Sequence, residues 1–135
     1  MPVFPQTLRN TMSNSPALSA DALLLCRDLF FTSKVSGTAS ALGYRVETEE
    51  TRERALAKAA AGNYRCLLLD LGWTDFPVAE LIAALPAAAP PVIAFGAHVE
   101  TARLEEARAA GCTEVLPRSK FSATLPDLLT RYLRP

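Results

Sequence analysis

One rhythm constrains this chain more than any other feature: five short apolar runs, each followed by a stretch with helical spacing. The runs are Ala22–Cys26, Tyr44–Glu47, Cys66–Asp70, Val92–Phe95 and Glu114–Leu116. After the first, Phe31, Val35, Ala39 and Leu42 recur at i, i+4, i+8 and i+11 and stop at Gly43. After the second, Thr51 is placed to cap a helix carrying Leu56, Ala59 and Ala60, which ends at Gly62-Asn63. Pro77 stands where a third helix starts, ahead of Val78, Leu81, Ile82 and Leu85. A fourth stretch, from Glu100 to Ala110, ends at Gly111. Ser122 is placed to cap the last, with Leu125, Leu128, Leu129 and Tyr132 on one face. Caps, glycine stops and apolar stripes all agree.

Strand starts about 20 to 25 residues apart are what repeated βα units require. The first, third and fourth runs are apolar without alternation, so both faces of those strands are covered and the sheet is parallel. With right-handed crossovers, the expected fold is α/β: a three-layer, doubly wound, five-stranded flavodoxin-like sheet in the order 2-1-3-4-5. The 135 residues, half of them apolar, suit one folded domain with one core. Residues 1–19 carry Pro2, Pro5 and Pro16 among Ser and Asn and show no sustained periodicity. They are expected to form a flexible N-terminal arm ahead of a domain at 20–135.

Composition removes several functions. Lys plus Arg equals Asp plus Glu, 14 each, so no basic surface is announced for nucleic acid or an anionic membrane. No apolar run approaches the roughly 20 residues that span a bilayer. Met1 to Ala20 lacks the continuous apolar stretch of a secretory signal, so a cytoplasmic location is expected. Cys26, Cys66 and Cys112 are odd in number and irregularly spaced, which fits reduced thiols better than a disulfide framework or a zinc site. The single histidine, His98, weakens a metal reading further and is expected on the surface near a helix start.

In a doubly wound sheet, ligands sit beyond the carboxyl ends of the strands, where strand order reverses. That edge collects Cys26, Arg27 and Asp28 after strand 1, Asp70 to Trp73 after strand 3, Gly96 to His98 after strand 4, and Pro117 to Lys120 after strand 5. The first βα turn, Cys26-Arg27-Asp28-Leu29-Phe30-Phe31-Thr32, has no glycine, which excludes a P-loop or dinucleotide fingerprint. Neither Ser33 nor Ser119 lies in a Gly-x-Ser-x-Gly elbow. Arg27 beside Cys26 favours a thiolate, but no base accompanies it, so a plain thiol is expected. Trp73 and Phe76 either pack over the third helix or stand exposed for binding; a lone Trp favours packing. Arg52-Glu53-Arg54 reads as a solvated helix face.

Three passages carry a resemblance. Leu67-Leu68-Leu69-Asp70 looks like a third strand ending in a phosphoaccepting aspartate, and Pro91-Val92-Ile93-Ala94-Phe95 like the fourth strand of the same kind of domain. Ala109-Ala110-Gly111-Cys112-Thr113-Glu114-Val115-Leu116 looks like the passage into its fifth. With the βα rhythm, they make residues 21–134 resemble the receiver domains of two-component response regulators. That resemblance implies Mg2+ held by two acidic residues after strand 1, a Ser or Thr after strand 4, and a Lys-Pro pair after strand 5. A hard dication with oxygen ligands neutralises the charge of a transferred phosphoryl group.

Matched back from Ala41-Leu42-Gly43, the acidic pair falls on Cys26 and Arg27, with Asp28 one residue late. The hydroxyl position falls on Gly96, and the lysine position on Arg118 or, with a one-residue slip, Pro117. Ser119 stands where the proline would follow. Asp70 alone remains as the phosphoacceptor equivalent. The expectation is a degenerate pseudo-receiver, not an enzyme and without a cofactor, in which Arg27 takes the metal's place by pairing with Asp70. The alternative is a working receiver phosphorylated on Asp70, with Asp28 and Asp70 holding Mg2+. Asp70 also suits a plainer role, accepting backbone hydrogen bonds at a strand end. A small-molecule binder is a third reading, poor in convergent polar groups. The resemblance further implies a protein partner in trans, a kinase or an output protein, and is compatible with a homodimer. Val99, Leu104, Phe121, Tyr132 and Leu133 are the expected apolar contact patch. No output domain follows Pro135, so a stand-alone module is expected.

Overall fold

The computed structural model describes residues 20–135. The expected arm at 1–19 lies outside the described residues. Five parallel strands form one sheet in the order β2-β1-β3-β4-β5, as the rhythm requires. They are β1 (Ala22–Leu25), β2 (Val46–Glu49), β3 (Cys66–Asp70), β4 (Val92–Gly96) and β5 (Glu114–Pro117). Between and after them run α1 (Leu29–Ala41), α2 (Arg52–Ala61), α3 (Val78–Ala84), α4 (Thr101–Ala110) and α5 (Arg118–Leu133). Among the described residues, no helix is long and apolar enough to cross a membrane.

The pleat sorts each strand between two cores, because alternate side chains point to opposite faces. Leu24, Leu68, Ile93 and Phe95 face α1 and α5, where Phe31, Val35, Phe121 and Leu125 meet them. Leu23, Leu25, Leu67, Leu69 and Ala94 face α2, α3 and α4, against Ala59, Leu81 and Leu104. β1, β3 and β4 are buried along their whole length, which explains their unbroken apolar runs. The helices α2 and α4 end at Gly62 (φ 72°) and Gly111 (φ 100°), a left-handed conformation that favours glycine.

Two element starts and one cap differ from the sequence reading, and strand ends differ by one or two residues. β2 begins at Val46 rather than Tyr44, because the Tyr44 N–H still bonds the Ala39 carbonyl and completes the end of α1. α5 begins directly after Pro117 rather than being capped by Ser122, which brings the buried Phe121 into its first turn. Thr51 does precede α2, but its side chain makes no capping hydrogen bond. Trp73 and Phe76 pack edge to face, with ring centroids 4.8 Å apart. All three cysteines are free, with Cys26 and Cys66 buried and Cys112 half-buried.

Candidate functional site

Asp70 ends β3 and is 3% exposed. Its carboxylate has three hydrogen-bond partners. Oδ1 accepts from the Gly72 backbone N–H at 2.8 Å and from Arg118 Nη2 at 3.2 Å. Oδ2 accepts from the Cys26 thiol at 3.3 Å. Burial, with the Asp70 charge adding to it, pushes the Cys26 thiol up to about 12. The sulfur therefore keeps its proton near neutral pH and serves as a donor, not as a nucleophile.

The ion pair expected between Arg27 and Asp70 is made by Arg118 instead. The pleat explains the exchange. Cys26 and Asp70 turn to the same side of the sheet, so the intervening alternation sends Arg27 to the other side. There its guanidinium carbon lies 5.8 Å from the centroid of the Trp73 ring. Arg118 starts α5 beyond β5, and to meet β3 it passes the end of β4 at Gly96. Its guanidinium carbon also lies 5.1 Å from the Phe31 ring centroid. Gly72 makes this approach possible, since a Cβ there would stand 2.8 Å from Arg118 Nη2 and 3.0 Å from Asp70 Oδ1.

Asp28 has another task. It is the N-cap of α1, and its Oδ1 accepts from the Phe30 N–H at 2.9 Å. Gly96 lies against a filled space, where a Cβ would stand 3.0 Å from Leu71 Cβ and 3.7 Å from Leu104 Cδ2. An open cavity of about 600 Å³ lies above these groups, bordered by Arg27, Asp28, Asp70, Trp73, Asp75 and Arg118. A hard cation such as Mg2+ needs about six oxygen ligands. Here the Asp28 carboxylate caps a helix, and Asp70 is shared among an N–H, an S–H and a guanidinium. Among the described residues, no group of three or more His, Cys, Asp or Glu side chains is placed to hold a metal ion. This donor set does not fit Mg2+.

The outer wall of the cavity is the loop from Leu71 to Pro77, and α4 holds it. Arg103 Nε donates to the Leu71 carbonyl at 3.1 Å. Its Nη2 donates to the carbonyls of Trp73 at 2.8 Å and Phe76 at 3.1 Å. Sequence reasoning missed Arg103, because an arginine midway along a charged helix carries no local mark of such a role. Gly72 did leave a signal, a glycine two residues past a strand end. The apolar contact patch is also corrected. Leu104, Phe121 and Leu133 are buried, because each faces the sheet from its helix, and Tyr132 is half-buried with its hydroxyl donating to Glu114. Val99 is exposed, as are Leu29 (76%) and Phe30 (69%) at the start of α1. His98 is exposed beside Val99.

Solved structures similar to this fold include response-regulator domains. One is a response regulator from Hahella chejuensis, with a TM-score of 0.71 at 17% identity, covering 85% of this chain and 96% of that one. A two-component response regulator from Clostridium difficile matches with a TM-score of 0.71 at 16% identity, covering 86% of this chain and 97% of that one. The fold is that of a receiver domain. A third receiver, from a sensor histidine kinase of Pseudomonas aeruginosa, holds a magnesium ion coordinated in its active-site cleft. It matches with a TM-score of 0.68 at 22% identity, over 87% of this chain and all of that one. No family model matches the sequence, and no curated protein matches it. At these identities the likeness is one of receiver fold, and chemistry must be argued from the residues at the sheet edge.

Proposed function

We propose that this chain is a receiver-like signalling domain whose Asp70 carboxylate is occupied by Arg118, and that it acts by binding a protein partner rather than by phosphoryl transfer. One observation carries the reading: the Asp70 carboxylate is shared among Arg118, Gly72 and Cys26. A guanidinium beside a buried carboxylate supplies the positive charge that a metal would supply in a working pocket. The close fit of Gly96 against Leu71 adds support, since a side chain at that strand end would press on Leu71. On this reading the domain needs no cofactor and catalyses nothing. Its partner is a kinase or an output protein reached in trans in the cytoplasm, or a second copy of the chain. Among the described residues, the exposed Leu29, Phe30, Leu42 and Val99 are the large apolar residues available for such contact. The balanced net charge does not favour nucleic acid as the partner.

The test is a titration of the purified domain with beryllofluoride and Mg2+, following amide chemical shifts. The expected result is no saturable change at Gly72, Trp73 or Arg118. A saturable, Mg2+-dependent change spreading to β4 and β5 would overturn the proposal in favour of a receiver phosphorylated on Asp70, with Asp28 recruited as a ligand.

A further inference from the structure

Arg118 carries more donors than Asp70 uses. Among the described residues, only its Nη2 has a hydrogen-bond partner, the Asp70 Oδ1. Its Nε is buried and has none. A buried donor without an acceptor carries an unrelieved desolvation cost, which an acceptor brought to it removes. Arg27 borders the same cavity. Its guanidinium lies over Trp73, a contact that engages the face of the cation and none of its N–H donors. Among the described residues, no acceptor takes those donors. An exposed arginine alone marks nothing, since water serves it; the buried Nε of Arg118 is the observation that points to a ligand.

The carboxylates around the cavity are differently placed. Asp70 accepts from three groups, Asp28 caps α1, and Asp75 is exposed at the rim. The cavity therefore offers spare donors on two guanidinium groups amid three carboxylates. From sequence this edge looks poor in convergent polar groups, because Arg27 follows β1 and Arg118 follows β5; the fold brings both to one space. That space continues beyond Arg118. A second cavity of about 180 Å³ adjoins the first, and Gly72, Thr74 and Arg118 border both. Its other walls are Leu71, Gly96 and Ala97, with Glu100 exposed at its lip. One half is polar and the other is largely apolar.

We infer that the paired cavities bind a small monocarboxylic acid with a short apolar body. The carboxylate meets Arg27 and Arg118, and the body lies against Leu71 and Ala97. A guanidinium fork matches the planar oxygen pair of a carboxylate. Charge selects a monoanion, because a compact dianion meets stronger repulsion from Asp28, Asp70 and Asp75. The smaller cavity selects the body, which has room there for only a few carbons. This inference goes beyond the binding of a protein partner, and it rests on the reading that Arg118, not a metal ion, partners Asp70.

The experiment titrates the whole chain with isovalerate, without Mg2+ and at constant ionic strength. It is read by amide chemical shifts and by the fluorescence of Trp73, the only tryptophan. Saturable shifts are expected at Gly72, Thr74 and Ala97, with a change in Trp73 emission as Arg27 takes up the carboxylate. Acetate, which lacks the body, should bind roughly tenfold more weakly. Isoamyl alcohol, which lacks the charge, and inorganic phosphate should give no saturable shift. Arg27→Gln should weaken isovalerate by roughly tenfold or more while leaving the urea midpoint unchanged, because Arg27 is exposed. Ala97→Leu fills the smaller cavity and should weaken isovalerate but not acetate; Ala97→Val replaces it if that variant fails to fold. No saturation by isovalerate, binding unchanged by Arg27→Gln, or phosphate binding as tightly would each overturn the inference. A Mg2+-dependent beryllofluoride response would instead overturn the reading beneath it, and the two titrations report these failures separately.

Discussion

Asp70 and Arg118 behave as one unit in a site that is buried on one side and open to water on the other. The carboxylate is 4% exposed at its side chain and the arginine 34%. Arg118→Gln removes the charged partner and leaves the buried carboxylate with one N–H and one S–H. The expected loss of stability is about 1–3 kcal/mol, read from the urea midpoint at pH 7. Adding Asp70→Asn removes the stranded charge and should recover part of that loss; additive losses in the double variant would show that the pair is not coupled. Gly96→Ser tests a different kind of contact. Its Cβ would stand 3.0 Å from Leu71 Cβ, a contact tight enough that Leu71 must shift by a few tenths of an ångström. The expected cost is about 1–3 kcal/mol, with no beryllofluoride binding gained. At this scale the sequence was only half legible. Asp70 stood out, because a carboxylate at the end of an apolar strand is unusual. Its partner did not, because Arg118 lies 48 residues away and reaches across a strand in between.

Among the elements, the edge strand β2 is held by a cluster of charged and polar side chains as well as by apolar packing. Lys58 of α2 bonds Glu47 and, at 2.5 Å, Glu49, while the Tyr64 hydroxyl donates to Glu47. Burial raises the Glu47 carboxyl, but the bonds from Lys58 and Tyr64 outweigh it and hold the group below its ordinary value of 4.5. A depressed carboxyl stabilises the fold above its unfolded pKa, and that contribution fades as pH falls through the folded value. Stability from this clasp is therefore complete above about pH 5 and lost on acidification below 4.5. Lys58, raised above 10.5 by Glu47 and Glu49, has the opposite sign and contributes until the pH climbs past its folded value. Lys58→Met should flatten the acid side of the stability profile measured by urea unfolding from pH 3 to 7. The expected change is about 1 kcal/mol or less, because both partners are partly solvated. A profile unchanged by the substitution would remove the clasp from the account. Helix and strand positions were legible here from apolar spacing, but the start of β2 was not. Tyr44 has a strand-like side chain, yet its N–H is still held by the carbonyl of Ala39.

For the molecule as a whole, the two layers of helices share one sheet, and the α1–α5 side is the more aromatic. Phe95 and Phe121 stack with centroids 3.9 Å apart, and Phe31 lies beside both. Phe121→Ala should cost about 3–5 kcal/mol in chemical denaturation, with the transition remaining cooperative. A loss below 1 kcal/mol would mean that Phe121 belongs to the surface after all. Topology was readable in advance because each βα unit is a local pattern and crossovers have one hand. The surface patch was not, since a helix beside a sheet shows its buried and exposed stripes alike as apolar letters. The meeting of Gly96 and Leu71 also bears on the descent of the chain. A serine arriving first at position 96 presses on Leu71, and a smaller residue arriving first at position 71 leaves a hole; the expected cost of each is about 1 kcal/mol. Lineages that must stay above a stability threshold cross such a valley only by changing both residues together. Two neighbouring residues, one of them without a side chain, thus act as a ratchet on this pocket, holding its present chemistry in place across generations.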